Sequence, residues 1–301
     1  MRTALASLGL AATILGLPAP SGAQPAGRPP AYAAPPVIAL EAERLREYAA
    51  PEARQGVAVD ADHVYAVVNT TIAKYDKSSG QRLGVWSGPR EGLIRHLNSC
   101  FAEAGKLWCA NSNFPQTPMA SSVEVFNTAD MTHAASHSLG ILDEGSLTFF
   151  ERFGEGWIAG YAHYDDIGGL SYKDAVFAGI VFYDSAWRRT GGYALPQSVL
   201  ERMAPHAASG GVLGPDGLLY LFGHDRPELY VVARPVMGPT LIHVATISVD
   251  APGQAIAWDH SSDERILFTI HRPTGAIRSF RLPEVPLDHS PDARRFAPEG
   301  G

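Results

Sequence analysis

The sequence predicts an all-β fold, a β-propeller, and three observations predict it. Beyond residue 50 the chain is a succession of short apolar runs separated by Gly, Asp, Asn and Pro, with residues 196–203 as the one good helix candidate. Runs of this kind, bounded by turn residues, read as strands. The runs also resemble one another: Gln55-Gly56-Val57-Ala58-Val59-Asp60 is matched by Gln254-Ala255-Ile256-Ala257-Trp258-Asp259, each followed by a turn and a second apolar strand. Finally, five such first strands begin near Gln55, Asn98, Ser146, Ser209 and Gln254, at spacings of 43, 48, 63 and 45 residues. Four-stranded units repeating every ~40–60 residues are the signature of propeller blades.

The elements follow in order from the N-terminus. Arg2, the apolar and small residues of 4–17, the helix-breaking Pro18 and Pro20, and Ser21-Gly22-Ala23 have the layout of a secretory signal over residues 1–23. Its run of 14 residues is short of the ~20 needed to span a membrane, and no later apolar stretch reaches that length. Residues 24–36 are rich in Pro and Ala and read as a linker. The propeller is expected over 37–285 and a disordered tail over 286–301. The first four repeats each carry a third and a fourth strand, whereas the fifth runs out of chain after three. Residues 40–48, which have no other assignment, can supply the missing outer strand and close the ring, removing an open edge. The alternative is six blades, with 37–53 inside an extra one.

The two cysteines, Cys100 and Cys109, flank Ala104-Gly105, which reads as a tight hairpin turn. Symmetric placement about that turn makes them face each other across the strands, within disulfide reach. An oxidising compartment would preserve the bond, in keeping with a secreted or periplasmic protein. The spacing fits no zinc pattern.

The repeat pattern Gln-Gly-Val-Ala-Val-Asp, turn, Val-Tyr-Ala resembles that of NHL-type and gluconolactonase-like propellers over most of 55–283. The resemblance implies the propeller scaffold. It also implies, for gluconolactonase-like enzymes, a divalent metal, usually calcium, held by a Glu, two Asn and an Asp at the central mouth. That set has no residue-by-residue match here.

Propeller geometry nevertheless locates a site. The first strand of each blade lines the channel, so its start, the end of the second strand and the loop that follows share one rim. The positions so collected are Gln55, Asn69, Asn98, Asn111, Ser112, Ser146, His163, Ser209, His224, Asp225, Gln254, His271 and Arg272. Apolar strands ending in convergent polar groups suit a small-molecule site. His163, His224 and His271 are the candidate catalytic residues, since a neutral imidazole near pKa ~6.5 suits proton transfer. The same three are candidate ligands of a divalent metal, whose identity the sequence leaves open. Gln55, Asn98, Asn111, Ser209, Asp225, Gln254 and Arg272 are candidate ligand-binding residues, or ties between blades. The long loops 164–176 and 114–121 lie on this rim and are candidate lids.

Composition bounds the function. The chain has 301 residues, 46% hydrophobic, which excludes a disordered protein, and a net charge of −7 without a basic run, which argues against nucleic acid as partner. Nucleophile-elbow, Walker and dinucleotide motifs are lacking. Two classes remain: an exported enzyme acting on a small polar molecule by lactonase-like hydrolysis or a related isomerase or lyase step, and a non-catalytic propeller binding a ligand or a protein partner.

Overall fold

Strand side chains alternate between two faces, and in this chain both faces of the inner strands are buried. The computed structural model describes residues 33–168 and 170–296. Strands β1 (Ile38–Glu41) and β2 (Glu43–Ala49) come first, and the chain forms five sheets, antiparallel except where β1 joins. Blade 1 is β3 (Gly56–Val59), β4 (His63–Val68), β5 (Thr71–Asp76) and β6 (Arg82–Ser87). Blade 2 is β7 (His96–Glu103), β8 (Lys106–Ser112), β9 (Ala120–Asn127) and β10 (His133–Ile141). Blade 3 is β11 (Ser146–Phe153), β12 (Gly156–Ala162), β13 (Gly179–Tyr183) and β14 (Arg189–Ala194). Helix α1 (Gln197–Met203) then precedes blade 4, made of β15 (Gly210–Leu213), β16 (Leu219–Phe222), β17 (Glu228–Pro235) and β18 (Ile242–Ser248). Blade 5 contains β19 (Ile256–Trp258), β20 (Ile266–His271) and β21 (Ala276–Arg281).

The fold is a five-bladed β-propeller. β2 pairs antiparallel with β21, from Glu43 opposite Arg281 to Ala49 opposite Ala276, and is the fourth strand of blade 5. The six-bladed alternative is thereby set aside: residues 43–49 complete a blade rather than start one. One strand was not anticipated. β1 adds to blade 4, parallel to β18, with Ile38 opposite Ala245. The two N-terminal strands thus clasp two neighbouring blades.

The core is divided among five seams between blades. Val57, Val59, Val64 and Ala66 pack towards blade 5, while Ala58, Tyr65 and Val67 pack towards blade 2. The same alternation sends Leu219 and Leu221 towards blade 3 and Tyr220 and Phe222 towards blade 5. This is why these strands read as unbroken apolar runs. The inner strands β3, β7, β11, β15 and β19 contact one another in turn, the last against the first. Their approach is close enough that a Cβ on Gly56 would lie 2.1 Å from the Asn98 carbonyl oxygen.

The hairpin β7–β8 turns at Ala104 and Gly105, both at positive φ (49° and 74°), the twist a two-residue hairpin favours. Cys100 pairs directly with Cys109 and the two are disulfide-bonded, with Cα atoms 4.0 Å apart. The expected disordered tail is corrected over 286–296. β22 (Ala293–Arg294) pairs with β17, and Phe296, 3% exposed, lies against Phe153, Phe182 and Tyr193. An aromatic anchor amid Pro and charge is enough to order the segment. The expected signal (1–23), most of the linker and residues 297–301 lie outside the described residues. Among the described residues no helix is long and apolar enough to cross a membrane.

Candidate functional site

The rim positions collected from the sequence form a belt of hydrogen bonds linking successive blades. Leu97 N donates to Asn69 O between blades 1 and 2. Asn98 Nδ2 donates to Leu147 O, and the hydroxyls of Ser112 and Ser146 meet at 2.8 Å, between blades 2 and 3. The Tyr164 and Ser209 hydroxyls meet at 2.9 Å between blades 3 and 4. Arg272 Nη1 donates to His224 Nε2 (2.9 Å) between blades 5 and 4, and Gln254 Nε2 to Gln55 Oε1 (2.5 Å) between blades 5 and 1. Asn98, Ser112, Ser146, Ser209 and Gln254 are buried. Asn111, also buried, accepts from the backbone N–H of Arg95 and His96 within its own blade. A polar group with so little exposure must be hydrogen-bonded, and here the partners are protein. Asn98, Asn111 and Ser209 are therefore engaged in structural ties.

Two aromatic rings lie over this part of the rim. Phe114 and Tyr164 meet edge to face at 5.5 Å, and Phe114 also lies 5.2 Å from His96. Beneath them is a cavity of about 10 Å³, lined by His96, Asn98, Ser146, Thr148 and Ala162, with room for roughly one water. Burial pushes the His96 imidazole down to about 4. The loops expected as lids touch here, since a Cβ on Gly168 would lie 2.7 Å from the Phe114 ring. Tyr172 and Lys173 fasten the longer loop to Asp143, and Asp165 fastens it at the backbone N–H of Ala175.

The polar groups that do reach solvent converge over blades 4, 5 and 1. A groove of about 480 Å³ is lined by Arg54, Gln55, Asn69, His224, Asp225 and Arg272, with Pro252, Gly253 and Pro273. Gly253 lets the blade 4–5 connection pass over the end of β16, where a Cβ would lie 1.8 Å from the Gly223 carbonyl oxygen. That approach brings Gln254 and Arg272 to His224. Arg272 Nη1 is shared between His224 Nε2 and Gln254 Oε1 (3.0 Å), and Arg54 Nη1 donates to the Arg272 carbonyl (2.7 Å).

The hydrogen bonds define the His224 tautomer. A guanidinium only donates, so Nε2 accepts and the ring proton sits on Nδ1, which donates to Asp225 Oδ1 (2.6 Å). Burial holds the His224 pKa below its ordinary value; nearby Arg272 and His206 act in the same direction and the Asp225 bond opposes them. The second carboxylate oxygen of Asp225 is 2.6 Å from Nδ1 of His206. The two imidazole rings lie 4.1 Å apart, both edge-on to Tyr164. Partial burial pushes the Asp225 carboxyl up, but the bonds from both histidines outweigh it and hold the pKa below the usual range.

The expected trio His163, His224 and His271 is not brought together. His163, 2% exposed, packs against Gly145 near Asp143 and Lys173, and its pKa is lowered by burial. His271 turns to Thr274 (2.6 Å), near Arg278 and Glu47 of the outer strands. His206, from the connection between α1 and β15, takes their place beside His224. Among the described residues His206, His224 and Asp225 are the group of three whose metal-ligating atoms lie within 4.8 Å of one another. The missed signal was weak: the α1–β15 connection carries His206 back towards the same rim. The calcium set implied by the family resemblance does not fit. The rim positions include no Glu, Asn98 and Asn111 are buried in hydrogen bonds to protein, and the group present is nitrogen-rich, which suits a softer cation than calcium.

No family model matches the chain, and no curated protein matches it. Among solved structures the chain is similar to the WD40 repeats of RRP9, at 9% identity and TM-score 0.43, over 76% of this chain and 79% of that one. It is also similar to a chain of a mitotic checkpoint complex, at 11% identity and TM-score 0.42, over 92% and 100% of the two chains. The five-bladed assignment stands on the sheet pairing itself.

Proposed function

We propose that this is an exported propeller enzyme whose rim groove binds a small, oxygen-rich lactone and hydrolyses it to the corresponding hydroxy acid. The observation that carries the reading is the hydrogen-bonded set Gln55–Gln254–Arg272–His224–Asp225–His206, of which Gln55, Arg272, His224 and Asp225 line one groove. Arg272 and Arg54 supply cationic donors for a carboxylate or an oxyanion, and planar guanidinium groups match that geometry. Gln55 and Asn69 offer donors and acceptors for hydroxyls. His224 and Asp225 line the groove, His206 is bonded to Asp225 behind them, and this group is assigned the activation of water. In the reaction water adds to the carbonyl carbon, the ring C–O bond breaks, and the departing alkoxide takes a proton.

The test is Arg272→Gln. Wild type is expected to hydrolyse members of a panel of aldonolactones and to bind the corresponding acids saturably. The variant is expected to lose about tenfold or more in carboxylate affinity, as charge-assisted bonds of ~1.5–3 kcal/mol require. Equal binding by variant and wild type overturns the assignment of the groove. A second reading, a ligand-binding propeller without turnover, is favoured by Arg272 itself, which occupies the His224 Nε2 lone pair. Saturable binding without product would select it.

A further inference from the structure

We propose that His206, His224 and Asp225 hold one divalent transition-metal ion of the zinc class. Two imidazoles and one carboxylate converge from separate segments, the α1–β15 connection and the β16–β17 loop. Both Nδ1 atoms approach the same carboxylate at 2.6 Å, so an ion among them would replace these two hydrogen bonds, and the Arg272–His224 bond, with three ligand bonds. Imidazole nitrogen with one carboxylate suits zinc and its neighbours, and three protein ligands leave a position free for water or substrate. Asp166 Oδ2 lies 3.6 Å from His206 Nε2, outside hydrogen-bond distance, and a small approach would let it accept the outer N–H of a metal-bound imidazole. The Tyr164 ring meets both imidazoles at steep angles and restricts their rotation.

The site carries a distinctive coupling to Arg272. When Nδ1 of His224 binds the ion, its proton must reside on Nε2, and the present bond from Arg272 Nη1 to Nε2 is lost. Metal loading therefore releases Arg272 to the groove, where it meets an anion. Removing Arg272 should leave metal affinity intact or raise it, because a cation 2.9 Å from a ligating ring opposes the ion. The chemical use of the ion rests on the reading of the groove as the working site; its binding does not.

The experiment is calorimetric titration of the full, tag-free chain with Zn²⁺, and visible spectroscopy with Co²⁺ as the probe, without substrate. Wild type is expected to take one equivalent and to show ligand-field bands for cobalt. Asp225→Asn and His206→Ala, with wild-type circular dichroism, should weaken binding by more than about 100-fold, and Asp166→Asn by about tenfold. His271→Ala should bind as wild type does, and millimolar Ca²⁺ should not compete. Arg272→Gln should keep or tighten Zn²⁺ binding while losing carboxylate affinity, which separates failure of the metal site from failure of the groove. Lack of Zn²⁺ binding by wild type, undiminished binding by both Asp225→Asn and His206→Ala, or competition by Ca²⁺ overturns the proposal.

Discussion

Two imidazoles show how residues of one type are put to different uses in this fold. His224 sits at a strand end and shares its two nitrogens between a carboxylate and a guanidinium. His243 is 5% exposed in β18, with Nδ1 facing the Ser198 hydroxyl and Nε2 facing Ala245 O and the Thr246 hydroxyl. Burial pushes its pKa down to about 4; Arg202 acts in the same direction, while the Ala245 carbonyl and Glu228 oppose it. The unfolded chain titrates near the ordinary ~6.5, so between those values it binds more protons than the native state. Stability from this residue is complete above ~6.5 and is lost as pH falls towards about 4. Glu151, pushed up to about 8 by burial, contributes with the opposite sign between its ordinary value and 8, so a comparison of variants isolates the histidine. His243→Gln is expected to show a shallower loss of urea midpoint from pH 7.5 to pH 5 than wild type. Parallel slopes would refute the assignment.

At the scale of elements, the β7–β8 hairpin shows what local sequence can specify. A turn at Ala104-Gly105 sets the register, and that register alone places Cys100 opposite Cys109. The pair also lies in the seam between blades 1 and 2, with Leu97, Leu107 and Phe126. Closing so short a loop restricts the unfolded chain by about 2–3 kcal/mol. The double replacement Cys100→Ala and Cys109→Ala should lower unfolding free energy by about that amount, measured in denaturant, with the β-sheet spectrum retained. An unchanged midpoint would show that the crosslink contributes nothing. Other pairings leave no such mark. β1 joins β18 in parallel, with no turn between them, and β22 is two residues long, so neither has a sequence pattern of its own.

For the whole molecule, the controlling feature is ring closure. Blade 5 draws its outer strand from residues 43–49, and blade 4 takes a fifth strand from 38–41. The closing contact of the ring is thus made by the first part of the described chain. Its contacts have high sequence separation, which makes closure slow relative to hairpin formation. Deleting 38–49 would expose the edges of β21 and β18 to pairing with other chains. The expected outcome is loss of the cooperative melting transition and growth of light scattering on warming. A deletion variant that melts cooperatively as a monomer would show that the clasp is dispensable.

The blade repeats, their number, the closing strand, the disulfide and the rim that carries polar strand ends were all legible in the chain, because each follows from period, turn chemistry or register within one blade. Which rim residues face one another was not. His163 and His224 hold equivalent positions at the ends of β12 and β16, yet His163 is buried against Gly145 and His224 opens to the groove. His206 belongs to no repeat and reaches His224 through the path of the α1–β15 connection. Convergence across blades depends on loop paths and on the packing of each seam, and these exist only once the ring has closed.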